Sequence, residues 1–296
     1  MAVQVSELNG RRVVASVSGG KDSAAMSLHL RELGIEHDRV FMDTGWEHAK
    51  TYDYLRGELT RVIGPITEIR GDLLMPDLIR KKGMFPSRVR RFCTEELKVR
   101  PMQRYIASLD DEVVNAVGIR RAESKARSQM EEWEWSNGFD CQTWRPIIHW
   151  TEEEVIAIHG RHGLRPNPLY LEGAQRVGCW PCLFARKSEI KHIAESDPGR
   201  IDLIRSFEAD AAAGAAARAA AKGVEPGHPP SFFQAPLRGR DGSAPCTPID
   251  EVVAWSRTAR GGRQYELFAA GPSEEGCMRW GLCDTNTDDH EEGNDR

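Results

Sequence analysis

The residues whose types and spacing best indicate chemistry are the six at positions 18–23, Ser-Gly-Gly-Lys-Asp-Ser, which directly follow an apolar run at 13–17. A strand that leads through a Ser/Gly-rich turn into a helix presents free backbone N–H groups and the positive end of the helix dipole to one anion. The two glycines let the backbone approach a phosphate closely, while the lysine adds charge and the serines add hydroxyl donors. The segment therefore predicts a phosphate-binding loop of a nucleotide site. Its predicted contacts are Ser18, Gly19, Gly20, Lys21, Asp22 and Ser23.

The cysteines form a second group with a chemical pattern. The chain has seven, and Cys179 and Cys182 form a C-x-x-C, whereas Cys93 follows a run of arginines. Two thiolates at this spacing hold one metal ion or part of a cluster, and distant cysteines complete the set. Neither a second C-x-x-C at zinc-ribbon spacing nor a Cys/His pair at zinc-finger spacing follows, which disfavours structural zinc. From the C-x-x-C alone, a redox-active dithiol and a cluster-binding site are both possible functions.

The elements that must position these residues alternate along the first half of the chain. Apolar runs predict strands and amphipathic stretches predict helices. The predicted strands are 13–17, 39–42, 66–69 and 113–117, and the predicted helices are 21–33, 46–62, 76–82, 94–108 and 151–162. This alternation predicts an α/β fold with a doubly wound, mostly parallel sheet, whose ligands bind at the carboxyl ends of the strands.

Changes in composition predict three parts. Residues 1–195 are expected to form the nucleotide-binding domain. Residues 196–283 are expected to form a helical appendage, which includes helices at 209–222 and 249–258 and returns its last cysteines to the site. Residues 284–296 carry six acids and one arginine, which predicts a disordered acidic tail.

Composition and charge limit the class of protein. Hydrophobic residues make up 40% of the chain, but no apolar run reaches the length of a membrane span and no export signal is visible, so a cytoplasmic protein without membrane contact is expected. Residues 80–127 carry thirteen Lys or Arg against six Asp or Glu. Such a segment suits the phosphates of a mononucleotide or of a nucleic-acid strand, although a solvated basic face is an equally good interpretation.

The loop at 18–23 and five further ordered motifs carry a resemblance to known proteins. The loop at 18–23 lacks Walker A spacing and resembles the SGGxDS loop of the ATP pyrophosphatase (PP-loop) superfamily. The other five resemble motifs of the phosphoadenosine-phosphosulfate (PAPS) reductase family. They are Arg91-x-Cys93-Thr94-x-x-Leu97-Lys98, Gly118-x-Arg120-x-x-Glu123-Ser124-x-x-Arg127, Trp144-x-Pro146-Ile147 with Trp150 and Glu154-Val155, Asn167-Pro168-Leu169-Tyr170 and the C-x-x-C. The resemblance covers about residues 11–190. Within that family it is strongest to the sulfur-transfer proteins of DNA phosphorothioation, followed by cluster-bearing adenylyl-sulfate reductases.

The resemblance implies a Rossmann-like fold of the adenine nucleotide alpha hydrolase type and an enzyme that cleaves ATP, forms an adenylate with release of pyrophosphate and transfers sulfur. Mg²⁺ would accompany ATP, with Asp22 or Asp43 touching the metal, and a 4Fe–4S cluster is implied. Arg120 and Arg127 are expected to contact phosphate or sulfate, and Gly118 to lie beside the nucleotide. The implied cluster ligands are Cys93, Cys179, Cys182 and a fourth cysteine, for which Cys283 is preferred over Cys277 and Cys246.

Two other functions stay open at this point. One is a reductase of adenylyl or phosphoadenylyl sulfate that releases sulfite, with a C-terminal cysteine as nucleophile, although the intact loop favours ATP cleavage. The other is a nucleotide-binding partner protein without turnover. DNA, tRNA and a sulfur donor such as a cysteine desulfurase are the partner classes considered, and the sequence leaves the oligomeric state unknown.

Overall fold

The computed structural model describes residues 7–8, 10–87, 90–225, 230–234, 246–258 and 280. The predictions for Cys277, Cys283 and the acidic tail fall outside these residues, as does the side chain of Cys246. Within the described residues, no helix is long and apolar enough to cross a membrane.

A six-stranded sheet forms the centre of the fold, in the order β3-β2-β1-β4-β6-β5. Its strands are β1 Arg12–Val17, β2 His37–Asp43, β3 Thr67–Arg70, β4 Val113–Val117, β5 Trp133–Ser136 and β6 Cys141–Trp144. All neighbours pair in parallel except β5, which is antiparallel to β6. The predicted fold class, a doubly wound and mostly parallel sheet, is confirmed. The β5–β6 hairpin was not predicted.

Helices cover both faces of this sheet, and two of them contain a π-helical turn. Helix α2 runs through Ala49–Tyr54, the π turn Leu55–Leu59 and Thr60–Ile63, and helix α4 through Phe92–Thr94, the π turn Glu95–Val99 and Arg100–Ala107. The others are α1 Lys21–Glu32, α3 Met75–Lys82, α5 Glu152–Arg161, α6 Pro168–Leu171, α7 Lys187–Ser196, α8 Pro198–Ala221 and α9 Ile249–Ser256. A two-stranded sheet, β7 Phe233–Gln234 with β8 Cys246–Thr247, completes the described elements.

The predicted helix 46–62 was wrong at its first residues. The carboxylate of Glu47 accepts hydrogen bonds from the backbone N–H groups of Thr44 and Trp46, at 3.3 and 3.2 Å, which closes a turn. His48 then acts as N-cap, because its imidazole accepts the N–H of Lys50. The helix therefore begins at Ala49.

The helices after residue 196 extend the core of the first part of the chain. The predicted helix 209–222 is the second half of α8, whose first turn is capped by the side chain of Asp197. Ile204 and Phe207 of α8 lie in one buried cluster with Trp46 and Ile79. This packing brings α8 next to the cysteine loop at 179–182.

Candidate functional site

The loop at 18–23 connects β1 to α1 and has little room for side chains at its glycines. Gly19 has a φ of +72°, which favours glycine, and a Cβ there would lie 2.9 Å from Cγ2 of Thr51. A Cβ on Gly20, the N-cap of α1, would lie 3.2 Å from the carbonyl oxygen of Val177. The loop is thus enclosed by α2 on one side and by the segment before the C-x-x-C on the other.

Hydrogen bonds hold this loop in shape. The Oγ of Ser23 accepts the N–H of Ser18 at 3.1 Å and donates to the carbonyl of Gly20 at 3.0 Å. The buried Asn167 donates to the carbonyl of Gly19. The hydroxyl of Tyr170 accepts the N–H of Lys21 at 3.2 Å. The loop is therefore pre-formed by its own serine and by the Asn-Pro-Leu-Tyr motif.

Lys21 lies at the centre of the charged groups beside the loop. Its side chain is only 8% exposed, and its Nζ lies 3.2 Å from Oε1 of Glu152 and 3.7 Å from Oδ2 of Asp22. The ammonium also lies 5.3 Å from the ring centroid of Tyr170. Burial alone would lower the pKa of Lys21, but Tyr170, Asp22 and Glu152 outweigh it and raise the pKa. The lysine is consequently charged at neutral pH, as a phosphate contact must be.

Both arginines predicted to contact anions are held in ion pairs. Arg120 is buried and pairs through its Nε with Asp22, while its backbone N–H donates to Glu123 at 2.8 Å. Arg127 pairs with Glu123. Gly118 lies between β4 and these arginines, against the backbone of Asp22. The structure thus joins Asp22, Arg120, Glu123 and Arg127 in one network at the loop.

Asp43, predicted as a metal contact, is 2% exposed at the end of β2. Its carboxylate accepts hydrogen bonds from Nε of Arg70 at 2.7 Å, from the hydroxyl of Tyr52 at 2.6 Å and from the N–H of Gly45 at 2.9 Å. In this arrangement it is fully engaged by protein groups.

The C-x-x-C loop is fixed by three hydrogen bonds across the fold. The N–H of Trp180 donates to the carbonyl of Trp46 at 2.9 Å, and the indole of Trp46 donates to the carbonyl of Pro181 at 3.1 Å. The indole of Trp180 donates to Asp197 at 3.1 Å. The loop therefore depends on the turn after β2 and on the start of α8.

The three family-matched cysteines share one electrostatic environment around Lys98, a half-buried residue on the π turn of α4. Burial raises the pKa of the Cys179 thiol and Lys98 opposes this, and burial likewise raises the pKa of Cys93. The pKa of Lys98 is raised, first by Cys179 and then, against the opposing effect of burial, by Glu47, Cys182 and Cys93. Among the residues that the structure describes, no three His, Cys, Asp or Glu side chains are arranged as a set of metal ligands.

One cavity of about 530 Å³ connects the two groups. At one end it is lined by loop residues, including Gly20 and Lys21, and by Arg127; at the other it is lined by Lys98 and by the C-x-x-C. A ligand whose phosphates lie on the loop would extend toward the thiols.

Sequence reasoning missed several residues at the loop. His159, to which no role was assigned, is buried and donates from Nε2 to the carbonyl of Lys21 at 3.0 Å. Trp280 is 9% exposed, with ring centroids 5.2 Å from His159 and 5.8 Å from Tyr170. Tyr170 had a signal, the Asn-Pro-Leu-Tyr motif, whereas Glu152 and His159 had none because they occupy ordinary positions on a helix.

A doubly wound parallel sheet, with a Ser/Gly loop after its first strand and a cavity at the carboxyl ends, defines an α/β protein of the nucleotide-binding class. The chain belongs to the phosphoadenosine phosphosulfate reductase domain family, whose model matches residues 12–185. The predicted family is thereby confirmed, and the particular likeness to DNA-phosphorothioation proteins stays a prediction.

Individual proteins are similar to different shares of the chain. The chain is 33% identical to an uncharacterized 37.8 kDa protein of Escherichia phage 186, covering 92% of this chain and 96% of that protein. It is 34% identical to an adenosine 5'-phosphosulfate reductase of Deinococcus radiodurans over 32% of this chain and 36% of that enzyme. A crystal structure of phosphoadenylyl-sulfate reductase from Candida auris is similar at 18% identity and a TM-score of 0.47, over 60% of this chain and 86% of that one.

Proposed function

We propose that the protein is an ATP-dependent sulfurtransferase that adenylates an acceptor and then replaces the adenylate with sulfur. The observation that carries this proposal is a cavity lined by residues of both the phosphate loop and the C-x-x-C. The intact Ser-Gly-Gly-Lys-Asp-Ser sequence supports it, because a buried lysine at the start of a helix suits the charge of a leaving pyrophosphate.

The proposed chemistry has two displacements. First, an acceptor oxygen attacks the α-phosphorus of ATP, the bond to the β-phosphate breaks, pyrophosphate leaves and the acceptor proton is lost to solvent. Second, hydrosulfide attacks the acceptor atom that bears the adenylated oxygen, that bond breaks and AMP leaves. No atom changes oxidation state in the second displacement, so that step itself needs no reductant. Where the sulfur comes from a desulfurase persulfide, a thiol reductant must first release it as hydrosulfide.

Named residues have assigned parts in this proposal. The loop N–H groups and Lys21 bind the β- and γ-phosphates. Asp22 or Asp43 contacts Mg²⁺, which requires exchange of a present partner, Arg120 or Arg70 respectively. Arg120 and Arg127 steer the charged groups of nucleotide or acceptor, directly or by holding Asp22 and Glu123.

The cysteine donors fit an iron–sulfur cluster in their chemistry. Three thiols that interact electrostatically beside a lysine are soft ligands of the kind that clusters take. We propose Cys93, Cys179 and Cys182 as ligands, with Cys283 as the fourth and Cys277 or Cys246 as substitutes. A bound 4Fe–4S cluster would supply an iron at which hydrosulfide is held. The protein's own part is to fix the C-x-x-C loop through Trp46 and Asp197.

Partners and organisation remain part of the proposal. DNA or tRNA is the acceptor class, a cysteine desulfurase is the kind of sulfur donor, and the cytoplasm is the location. The proposed division places the nucleotide domain at 1–195 and the helical appendage at 196–283. The position of Trp280 beside Tyr170 supports a return of the appendage to the site.

A second candidate is favoured by the names of relatives such as the adenosine 5'-phosphosulfate reductase of Deinococcus radiodurans. In that reaction a cysteine thiolate, Cys277 or Cys283, attacks the sulfur of an adenylyl sulfate and AMP leaves. A thiol reductant then releases sulfite from the S-sulfocysteine.

Anaerobic calorimetric titration with ATP·Mg²⁺, with adenylyl sulfate and with PAPS separates the candidates. Tight binding of ATP and weak binding of both sulfonucleotides is expected, and the reverse preference would replace the proposal by the reductase.

Lys21→Ala should abolish pyrophosphate release, because the leaving group loses its buried cation. Lys81→Ala, on the exposed side of α3, is the matched control and should leave release unchanged. Unchanged release in Lys21→Ala would refute the loop assignment.

A further inference from the structure

Glu152, the first residue of α5, makes a contact that its position in the sequence does not explain. Its Oε1 is shielded from solvent and lies 3.2 Å from Nζ of Lys21, a residue 131 positions earlier in the chain. The ammonium of Lys21 thereby has a carboxylate partner on another helix.

The neighbouring acids show that helix capping does not need Glu152. Thr151 and Glu154 form a reciprocal capping box, in which the carboxylate of Glu154 accepts the N–H of Thr151 at 2.7 Å and the hydroxyl of Thr151 accepts the N–H of Glu154 at 3.3 Å. Glu153 is exposed, and its carboxylate forms local hydrogen bonds with Thr151 and with its own backbone N–H. All three acids lie in the first turn of α5, where negative charge is favourable, but among them Glu152 is the one that pairs with Lys21.

The second carboxylate near Lys21 is already balanced. Asp22 lies 3.7 Å from Nζ of Lys21 and is paired with the buried guanidinium of Arg120. Glu152 therefore supplies the closer negative charge to Lys21, and it does so at the edge of the loop where a phosphate would bind. A phosphate and the Glu152 carboxylate repel each other and compete for the same ammonium.

We propose that Glu152 is a positioning residue that competes with pyrophosphate for the ammonium of Lys21, so that the leaving group is released rather than trapped. This inference rests on the proposed function, since it takes the loop to be the site from which pyrophosphate leaves. When pyrophosphate departs, the Glu152 carboxylate is again the closer partner of the Lys21 ammonium. Tyr170 and Asp22 keep Lys21 in place when Glu152 is neutralised.

Glu152→Gln removes the charge with almost no change of shape and is the main test. Isothermal titration with inorganic pyrophosphate should give a dissociation constant on the order of tenfold lower than that of the wild type, because one nearby negative charge is gone. Titration with adenosine, which is uncharged, should give unchanged affinity. A merely structural role of Glu152 would move both ligands together.

Two further variants keep the test interpretable. Glu153→Gln, in the same turn, loses the same dipole interaction and should leave pyrophosphate affinity within twofold of the wild type. Glu152→Asp retains the charge on a shorter side chain. Its affinity for pyrophosphate should lie between those of the wild type and Glu152→Gln. Thermal unfolding of each variant verifies that it is folded.

The outcomes distinguish this inference from the proposed function. If the wild type binds pyrophosphate and ATP, but Glu152→Gln binds pyrophosphate no more tightly than Glu153→Gln does, the inference alone is overturned. If the wild type binds neither pyrophosphate nor ATP, the proposed function fails and the inference fails with it.

Discussion

Replacing Gly118 by alanine should crowd the phosphate loop and so weaken both ATP binding and the stability of the fold. A Cβ at this position would lie 2.6 Å from the carbonyl oxygen of Asp22 and 2.8 Å from Cα of Ser23. Both atoms belong to the backbone of the first turn of α1, which cannot rotate away as a flexible side chain can. The φ of Gly118 is not in the left-handed region, so the expected effect comes from the close approach alone.

The magnitude follows from the displacement that is needed. Ordinary contact requires a separation of at least 3.4 Å, so β4 and the first turn of α1 must move apart by about 1 Å. Overpacking of this kind costs about 1–3 kcal/mol of the free energy of unfolding. A misplacement of about 1 Å lowers the rate of an enzymatic step by on the order of a hundredfold, and here the loop N–H groups that would bind the phosphates are displaced by the same amount. We therefore expect ATP affinity to fall by about ten- to a hundredfold.

Gly160→Ala provides the matched control. Gly160 lies in α5, and a Cβ there would meet no atom within 4 Å. Because alanine is the better helix former, the free energy of unfolding of this variant should be about 0.5–1 kcal/mol higher than that of the wild type. Urea unfolding and calorimetric titration with ATP would be measured for both variants. A Gly118→Ala protein as stable as Gly160→Ala, with the ATP affinity of the wild type, would refute the reasoning.

Two more outcomes are expected. Cys179→Ser should lose the brown colour and the iron of anaerobically purified protein. Cys141→Ser, which changes a buried thiol on β6, is the control and should retain both. Full iron content in Cys179→Ser would reject the ligand assignment. The free energy of unfolding should fall as pH drops from about 7 to 5. Burial lowers the pKa values of His37 and His159 in the folded protein below the unfolded value of about 6.5. The unfolded chain therefore binds more protons than the folded protein in this range. Each such histidine contributes up to about 1.4 kcal/mol per pH unit, and urea unfolding across this range would show a flat profile if the histidines titrated normally.

The central strands could be predicted because parallel strands covered on both faces are continuous apolar runs. Strand β4 was predicted at its full extent, Val113–Val117. The β5–β6 hairpin was missed because its sequences mix tryptophans with polar residues, and Trp135 on the edge strand is 53% exposed. The first half of α8 was missed because the alanine-rich second half dominates helix propensity, whereas its start depends on the Asp197 cap.

The site could be predicted only where its residues are contiguous. The loop at 18–23 and the C-x-x-C are local patterns, so their residue types indicate their chemistry directly. The partners of Lys21 are not local: Glu152, His159 and Tyr170 come from two later helices. No period or spacing relates them to the loop, because the contacts arise only when α5 and α6 pack beside α1.

The distances in sequence between these partners bear on how the chain folds. The bond from the indole of Trp46 to the carbonyl of Pro181 joins residues 135 apart, and that from Lys21 to Tyr170 joins residues 149 apart. Such contacts repay their loop-closure entropy only after the intervening sheet has formed. Substitutions at these contacts should therefore mainly accelerate unfolding and leave the folding rate almost unchanged. The cysteine loop would take its shape after the central sheet, and a metal that it receives would bind to a chain whose sheet is already formed.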